Sequence, residues 1–106
     1  MLTDMRQVHH PDVQQVALTT VLHALSDPVR LSIVRTLASR GEQCCGACGL
    51  DLPKPTLSHH FKVLRESGII NVRIQGKQRC MSVRRDELES RFPGLLEAVL
   101  RASQPV

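Results

Sequence analysis

Aromatic side chains are almost missing from this chain of 106 residues, which has two phenylalanines and neither tryptophan nor tyrosine. Proteins that bind RNA or single-stranded DNA commonly stack the bases on aromatic rings, so this way of binding lacks its residues here. No apolar run approaches the roughly 20 residues that span a bilayer, and the first residues lack the apolar core of a signal peptide. We therefore expect a cytoplasmic protein without a membrane partner.

Signatures of catalysis are missing as well. The chain has no glycine-rich phosphate loop and no evident Cys-His-Asp arrangement, and its C-x-x-C pair is expected to follow a helix and not a strand as in thioredoxin-like enzymes. We predict that it is not an enzyme. The composition does offer a formal net charge of +4 and a pI of about 9.2, a mild bias toward anionic partners. With 42% hydrophobic residues, the chain is expected to form one domain with a modest core.

The segment 52–68 has the pattern of a short helix with one apolar and one polar side. Leu57, Phe61 and Leu64 recur at helical spacing, which gives a face to bury, and His60 is interpreted as a packing residue beside them. The polar side carries hydroxyl, imidazole and ammonium groups, which can hydrogen-bond base edges and phosphate oxygens. An ordinary solvated surface helix has the same periodicity, and the residues after it favour DNA. The predicted contacts of this helix are Lys54, Thr56, Ser58, His59 and Lys62.

A basic β-hairpin is predicted directly after this helix. Apolar and polar residues alternate from Ile70 onward, a turn falls at Gly76, and a second strand follows. No acidic residue lies between Glu66 and Asp86, so the cations of the hairpin form a cluster suited to phosphate. Duplex DNA is thus the expected partner of helix and hairpin together. The predicted contacts of the hairpin are Arg73, Gln75, Lys77 and Arg79.

Further helices are predicted on both sides of this unit. Asp12 can cap one helix, Asp27 followed by a proline can cap a second that ends near Gly41, and Asp86 can cap a short turn before a last helix. The first and last helices are strongly apolar, so we predict a homodimer that pairs them. The expected organisation is a flexible N-terminal segment at 1–11, a DNA-binding domain at 12–102 and a C-terminal tail at 103–106.

Three segments of the chain, ALSDPVRLSIVRTL, PTLSHHFKVLRESGII and the basic hairpin, resemble the ArsR/SmtB family of bacterial regulators. The resemblance extends from about Val13 to Leu100. It implies a mainly α fold with a β-hairpin, a winged helix-turn-helix whose terminal helices form a homodimer. It further implies a repressor that leaves its operator when an inducer binds. Thr56, Ser58 and His59 match the family positions that face the groove, and Lys62 matches a phosphate contact.

Cys44, Cys45 and Cys48 crowd into five positions just before the DNA-binding helix. On a helix their sulfurs would share one side. Three close thiolates suit a soft ion, either arsenite or antimonite in a trigonal site or zinc or cadmium in part of a tetrahedral one. Family members with thiol sensors here commonly have C-x-C-x-x-C, whereas this chain has C-C-x-x-C. We expect this ion to be an inducer that releases DNA, with no cofactor needed for DNA binding itself.

Other interpretations of the cysteines stay open. Clustered thiols can sense oxidants or electrophiles through a reversible disulfide, for which Cys45 and Cys48 are the favoured pair. The same cluster could hold a structural zinc in a winged-helix protein without an inducer. Cys80, single and on a predicted strand, is interpreted as a packing residue. A winged-helix protein-interaction domain is a further alternative, but it would have replaced the DNA-facing groups, which are present here.

Overall fold

The structure is a computed structural model, and it describes residues 9–44, 52–76 and 78–103. Within these ranges the chain forms five α-helices and a three-stranded antiparallel sheet, so the expected mainly α fold with a β-hairpin is confirmed. The elements are α1 (Leu18–Leu25), α2 (Pro28–Arg40), β1 (Gln43–Cys44), α3 (Lys54–Glu66), β2 (Ile70–Gln75), β3 (Gln78–Val83), α4 (Arg85–Arg91) and α5 (Leu95–Ala102).

The boundaries of α2 and α3 follow from capping residues, as predicted. The Asp27 carboxylate accepts hydrogen bonds of 3.0 Å from the backbone N–H groups of Val29 and Arg30, which have no partner within the helix. After α3, Gly68 adopts a φ of +82°, a conformation that side chains with a Cβ disfavour. A Cβ at Gly68 would also lie 3.3 Å from methyl carbons of Val13 and Val16. The positive φ therefore favours glycine at this position, and an added Cβ would also require the two valine side chains to shift by a few tenths of an ångström.

The first predicted helix is broken in the structure. Val13–Gln15 form a single 3₁₀ turn, in which Asp12 accepts a hydrogen bond of 3.0 Å from the N–H of Gln14. The chain is then extended at Val16 and Ala17 before α1 begins. This break lets the Val13 and Val16 side chains both pack next to Gly68. Their packing stabilises the broken form more than the helical periodicity of the segment favours a continuous helix. Asp86 also differs from its predicted role, because it lies in the first turn of α4 and does not cap it.

The sheet has the strand order β1-β3-β2. In one row, Gln43, Met81 and Val72 are neighbours across the three strands, and Met81 and Val72 are buried in the core. In the next row, Cys44, Cys80 and Arg73 are neighbours in the same way. Strand β1 was not predicted, because two residues are too short for an alternating pattern to show.

The described residues before the 3₁₀ turn are held by hydrogen bonds to the rest of the domain. Arg65 donates to the carbonyl of His9, and Arg84 donates to the carbonyl of Pro11 at 2.9 Å. His10 Nε2 accepts the N–H of Val72 at 2.9 Å, which satisfies a donor of strand β2 at the edge of the sheet. The rest of the predicted N-terminal segment lies outside the described residues.

Candidate nucleic-acid interface

Helix α3 separates its apolar and polar residues onto two sides. Leu57, Phe61 and Leu64 are buried in the core, which fixes the rotation of the helix about its axis. The predicted DNA contacts of α3 are all exposed, and they form a polar face along this helix of 13 residues. No described part of the chain covers this face. Its residues are Lys54, Thr56, Ser58, His59 and Lys62. The structure therefore leaves these donors and acceptors free to meet a partner at the surface.

Arg30 of α2 links the three helices that position this face. Its side chain is only 8% exposed, and its Nε donates to the carbonyl of Ala24 at 2.7 Å. Its Nη2 donates to the carbonyl of His23 at 3.3 Å, so the guanidinium satisfies carbonyls at the end of α1. Its Nη1 lies 3.4 Å from Nδ1 of His60 on α3. Sequence reasoning missed this role, since an arginine within SDPVR gives no sign of being buried.

The N-terminus of α2 carries a second contact with α3. The Asp27 carboxylate lies 3.8 Å from His60 Nδ1, and the His60 side chain is 12% exposed, which confirms its interpretation as a packing residue. The hydrogen bond from the backbone N–H of Arg30, helped by the charges of His60 and Arg30, lowers the pKa of Asp27 below its ordinary value. The carboxylate thus stays ionised where it caps α2 and faces α3.

The predicted hairpin contacts lie on β2 and β3. Arg73, Gln75 and Arg79 are exposed, and Lys77 lies outside the described residues. Arg73 is not a bare cation, because its Nη2 forms an ion pair of 3.1 Å with Glu42 and its Nη1 donates to Gln75 Oε1 at 2.9 Å. Glu42 was missed because it precedes β1, far from the hairpin in the sequence. An acid therefore stands beside a hairpin that has none of its own.

The cysteines are arranged differently from the prediction. Cys44 lies in strand β1 and not on a helix, and it faces Cys80 of β3 with their Cα atoms 3.9 Å apart and their sulfurs bonded. Cys80 is buried on its predicted strand, but packing is not its whole role, because the register of β1 brings it opposite Cys44 and the two are bonded. Cys45 and Cys48 lie outside the described residues. Cys44 can serve as the predicted metal ligand only as a free thiolate, after this disulfide is reduced.

In 9–44, 52–76 and 78–103, no group of three or more His, Cys, Asp or Glu side chains is placed to hold a metal ion. In the same part of the chain, no helix is both long and apolar enough to cross a bilayer.

The polar face of α3 and the hairpin behind it define a winged helix-turn-helix regulator, and comparison with known proteins agrees. Residues 25–73 match a family described as a helix-turn-helix domain. The uncharacterized HTH-type transcriptional regulator YceK of Bacillus subtilis (strain 168) is 39% identical over 82 residues, which cover 74% of this chain and 82% of YceK. The crystal structure of an ArsR family transcriptional regulator matches with a TM-score of 0.60 at 23% identity, covering 83% of this chain and 98% of that one.

Two relatives have more specific names. An arsenical resistance operon repressor of Staphylococcus xylosus is 38% identical over 76 residues, covering 68% of this chain and 70% of the repressor. A biofilm growth-associated repressor of Agrobacterium fabrum (strain C58 / ATCC 33970) is 37% identical over 79 residues, covering 71% of this chain and 67% of that repressor. The chain belongs to the ArsR family of winged helix-turn-helix regulators. The homologues indicate a DNA-binding transcriptional repressor and not an enzyme, as the sequence predicted.

Proposed function

We propose that the chain works in the cytoplasm as a homodimeric repressor, which binds a duplex operator through α3 and the hairpin formed by β2 and β3. The observation that carries this proposal is the exposed polar face of α3. Its donors and acceptors lie on a helix whose other side is anchored in the core, and such a helix fits the major groove. The cations of the hairpin would meet phosphate beside the groove.

Exposed apolar side chains on the first helix support the homodimer. Leu18 and Leu22 of α1 are 44% and 42% exposed, and Leu95, Val99 and Leu100 of α5 are only partly buried. Pairing of these helices with a second copy would remove them from water. A two-fold dimer would also present two copies of α3, as a palindromic operator requires.

The salt dependence of DNA binding tests this interface. A duplex selected from a random-sequence pool serves as the operator, and binding is followed by fluorescence anisotropy over a range of salt concentrations. Each phosphate contact contributes about 0.9 to the slope of log K against log salt, so Lys62→Ala should lower the slope by about 1.8 in a dimer. Replacement of Lys77 and Arg79 by Ala should lower it further for the same reason.

Arg101→Ala is the matched control, because it removes one cation from α5, which lies outside the predicted DNA interface. It should leave the slope unchanged, with the dimer verified by sedimentation. A slope that Lys62→Ala leaves unchanged would remove α3 from the DNA interface. A slope that the hairpin substitutions leave unchanged would remove the hairpin.

For the inducer, we propose a thiophilic ion that binds the reduced thiolates of Cys44, Cys45 and Cys48 and releases the operator. The support is chemical, since three thiolates within five positions suit trivalent arsenic or antimony, or zinc or cadmium. The names of the arsenical resistance repressors among the relatives also support it.

Release from DNA tests this inducer directly. The reduced protein, bound to the selected duplex, is titrated in parallel with arsenite, antimonite, cadmium and zinc. The variant with Ser at Cys44, Cys45 and Cys48 should still bind the duplex but should no longer be released. Cys80→Ser is the matched control and should still respond. A triple variant that responds like the natural protein would show that these cysteines are not the sensor.

A further inference from the structure

In one row of the sheet, the cysteine pair lies beside a predicted DNA contact. Cys44, Cys80 and Arg73 are neighbours across β1, β3 and β2, and the sulfurs of the two cysteines are bonded. Gln75 Oε1 lies 3.6 Å from Cys80 Sγ and also accepts a hydrogen bond from Arg73. The disulfide is therefore next to the side chains through which the hairpin would contact phosphate.

An acidic residue next to strand β1 also lies beside Arg73. Glu42 directly precedes β1, and its Oε1 lies 3.1 Å from Nη2 of Arg73, so this ion pair joins the two outer strands of the sheet across β3. Strand β1 has only two residue pairs with β3, fewer than most strands have, and one of the two is the cysteine pair. The disulfide is thus the strongest restraint that holds Glu42 beside Arg73.

We propose that Cys44 and Cys80 are a reversible oxidation site that lowers DNA affinity when the disulfide forms. This inference rests on the proposed DNA interface. In the oxidised protein, β1 is fixed on β3, and the Glu42 carboxylate competes with DNA phosphate for Arg73. In the reduced protein, no covalent bond holds β1 on β3, and only its backbone hydrogen bonds and the Glu42 ion pair remain, so Glu42 can leave Arg73 to the phosphate. In the cytoplasm, where the proposed repressor works, disulfides are typically transient and regulatory.

The chemistry balances with a peroxide as the oxidant. Cys44 is exposed whereas Cys80 is 1% exposed, so a peroxide in solution meets Cys44 first. The Cys44 thiolate attacks one peroxide oxygen, the O–O bond breaks, and a sulfenic acid forms. The departing hydroxide takes up the proton that the thiol released on ionising and becomes one water. The Cys80 sulfur then displaces the hydroxyl group from Cys44, which forms the S–S bond and releases a second water. The two thiols lose two electrons, which the peroxide gains, and a small thiol such as glutathione reverses the reaction by becoming a disulfide itself.

A variant with Ser at Cys45 and Cys48 isolates the pair, because the chain has four cysteines. This variant is treated either with a phosphine reductant or with hydrogen peroxide, and the thiols are counted with Ellman's reagent. We expect two thiols in the reduced protein and none after oxidation, with the linked peptides containing Cys44 and Cys80 identified by mass spectrometry. Two thiols that persist after peroxide treatment would overturn the site.

The affinity of each redox form for the selected duplex tests the consequence. Oxidation should weaken binding about fivefold for each wing that contacts DNA, the effect of one exposed ion pair, and about 25-fold for a dimer. Further replacement of Cys80 by Ser should abolish the peroxide effect. Equal affinities of the oxidised and reduced forms, with the disulfide confirmed, would overturn the proposed regulation.

Glu42→Gln tests whether the acid transmits the change. The oxidised Glu42→Gln protein should bind DNA as tightly as its own reduced form, since the amide does not neutralise Arg73. A fivefold or greater loss on oxidation that persists in this variant would contradict the role of Glu42. If the reduced protein with all four cysteines fails to bind duplex DNA, the proposed function itself fails, whereas a reduced protein that binds and ignores oxidation contradicts the redox site alone.

Discussion

Replacement of Arg30 by Met should lower the free energy of unfolding of the domain and should also weaken the contact that holds α3 on α2. Methionine keeps much of the side-chain volume but removes the guanidinium from a site that is 8% exposed. The bond of 2.7 Å to the Ala24 carbonyl contributes about 1.5–3 kcal/mol because its donor is charged, and the bond of 3.3 Å to His23 contributes less. The expected loss is about 2–4 kcal/mol, which a domain stable by about 5–15 kcal/mol survives.

Urea unfolding followed by circular dichroism measures this loss. Arg35→Met is the matched control, because it is the same substitution at a residue of α2 that is not buried, and it should change the stability by less than about 0.5 kcal/mol. Folded Arg30→Met protein should also bind the selected duplex more weakly, since His60 on α3 loses its guanidinium neighbour. An Arg30→Met protein as stable as the control would show that this arginine does not hold α1, α2 and α3 together.

Two further predictions concern the frame around the interface. Gly68→Ala should cost about 1–3 kcal/mol for its positive φ, and it should cost more than Gly94→Ala, because both have φ near 80° but only Gly68 has methyl carbons 3.3 Å from the added Cβ. Equal losses in urea unfolding would show that the methyl carbons of Val13 and Val16 do not resist the added Cβ. Asp27 and Glu87 have pKa values lowered below their ordinary 3.8 and 4.5, the first mainly by the Arg30 N–H and the second by the Arg84 side chain. Their contribution to stability is therefore present above the ordinary pKa and is lost as the pH falls through the pKa of the folded state. The urea concentration at the unfolding midpoint should thus decrease as the pH drops below about 4.5, and it should decrease less in Asp27→Asn.

Much of the fold could be predicted because its signals are local. Asp27 with the following proline begins α2, Gly68 ends the helix before the hairpin, and the spacing of Leu57, Phe61 and Leu64 gives the buried side of α3. The exposed face of α3 follows from the same spacing, so the sequence also indicated most of the candidate interface.

The parts that could not be predicted depend on residues far apart in the chain. Cys44 and Cys80 are 36 positions apart, and the two-residue strand that pairs them has no period of its own. The contact of Glu42 with Arg73 depends on that same strand pairing, and the burial of Arg30 depends on where α1 ends. In each case the partner residue depends on the tertiary structure, and no local sequence pattern predicts it.

The sequence discrimination of a variant with Ala at Thr56 and His59 tests most directly whether α3 reads the operator. The affinities for the selected duplex and for a scrambled duplex of the same composition are measured at one salt concentration. Because base-edge contacts carry discrimination whereas phosphate contacts do not, the ratio of the two affinities should fall by roughly tenfold or more, with the scrambled duplex bound almost as before. A ratio that stays at the value of the natural protein would show that α3 does not read the DNA sequence.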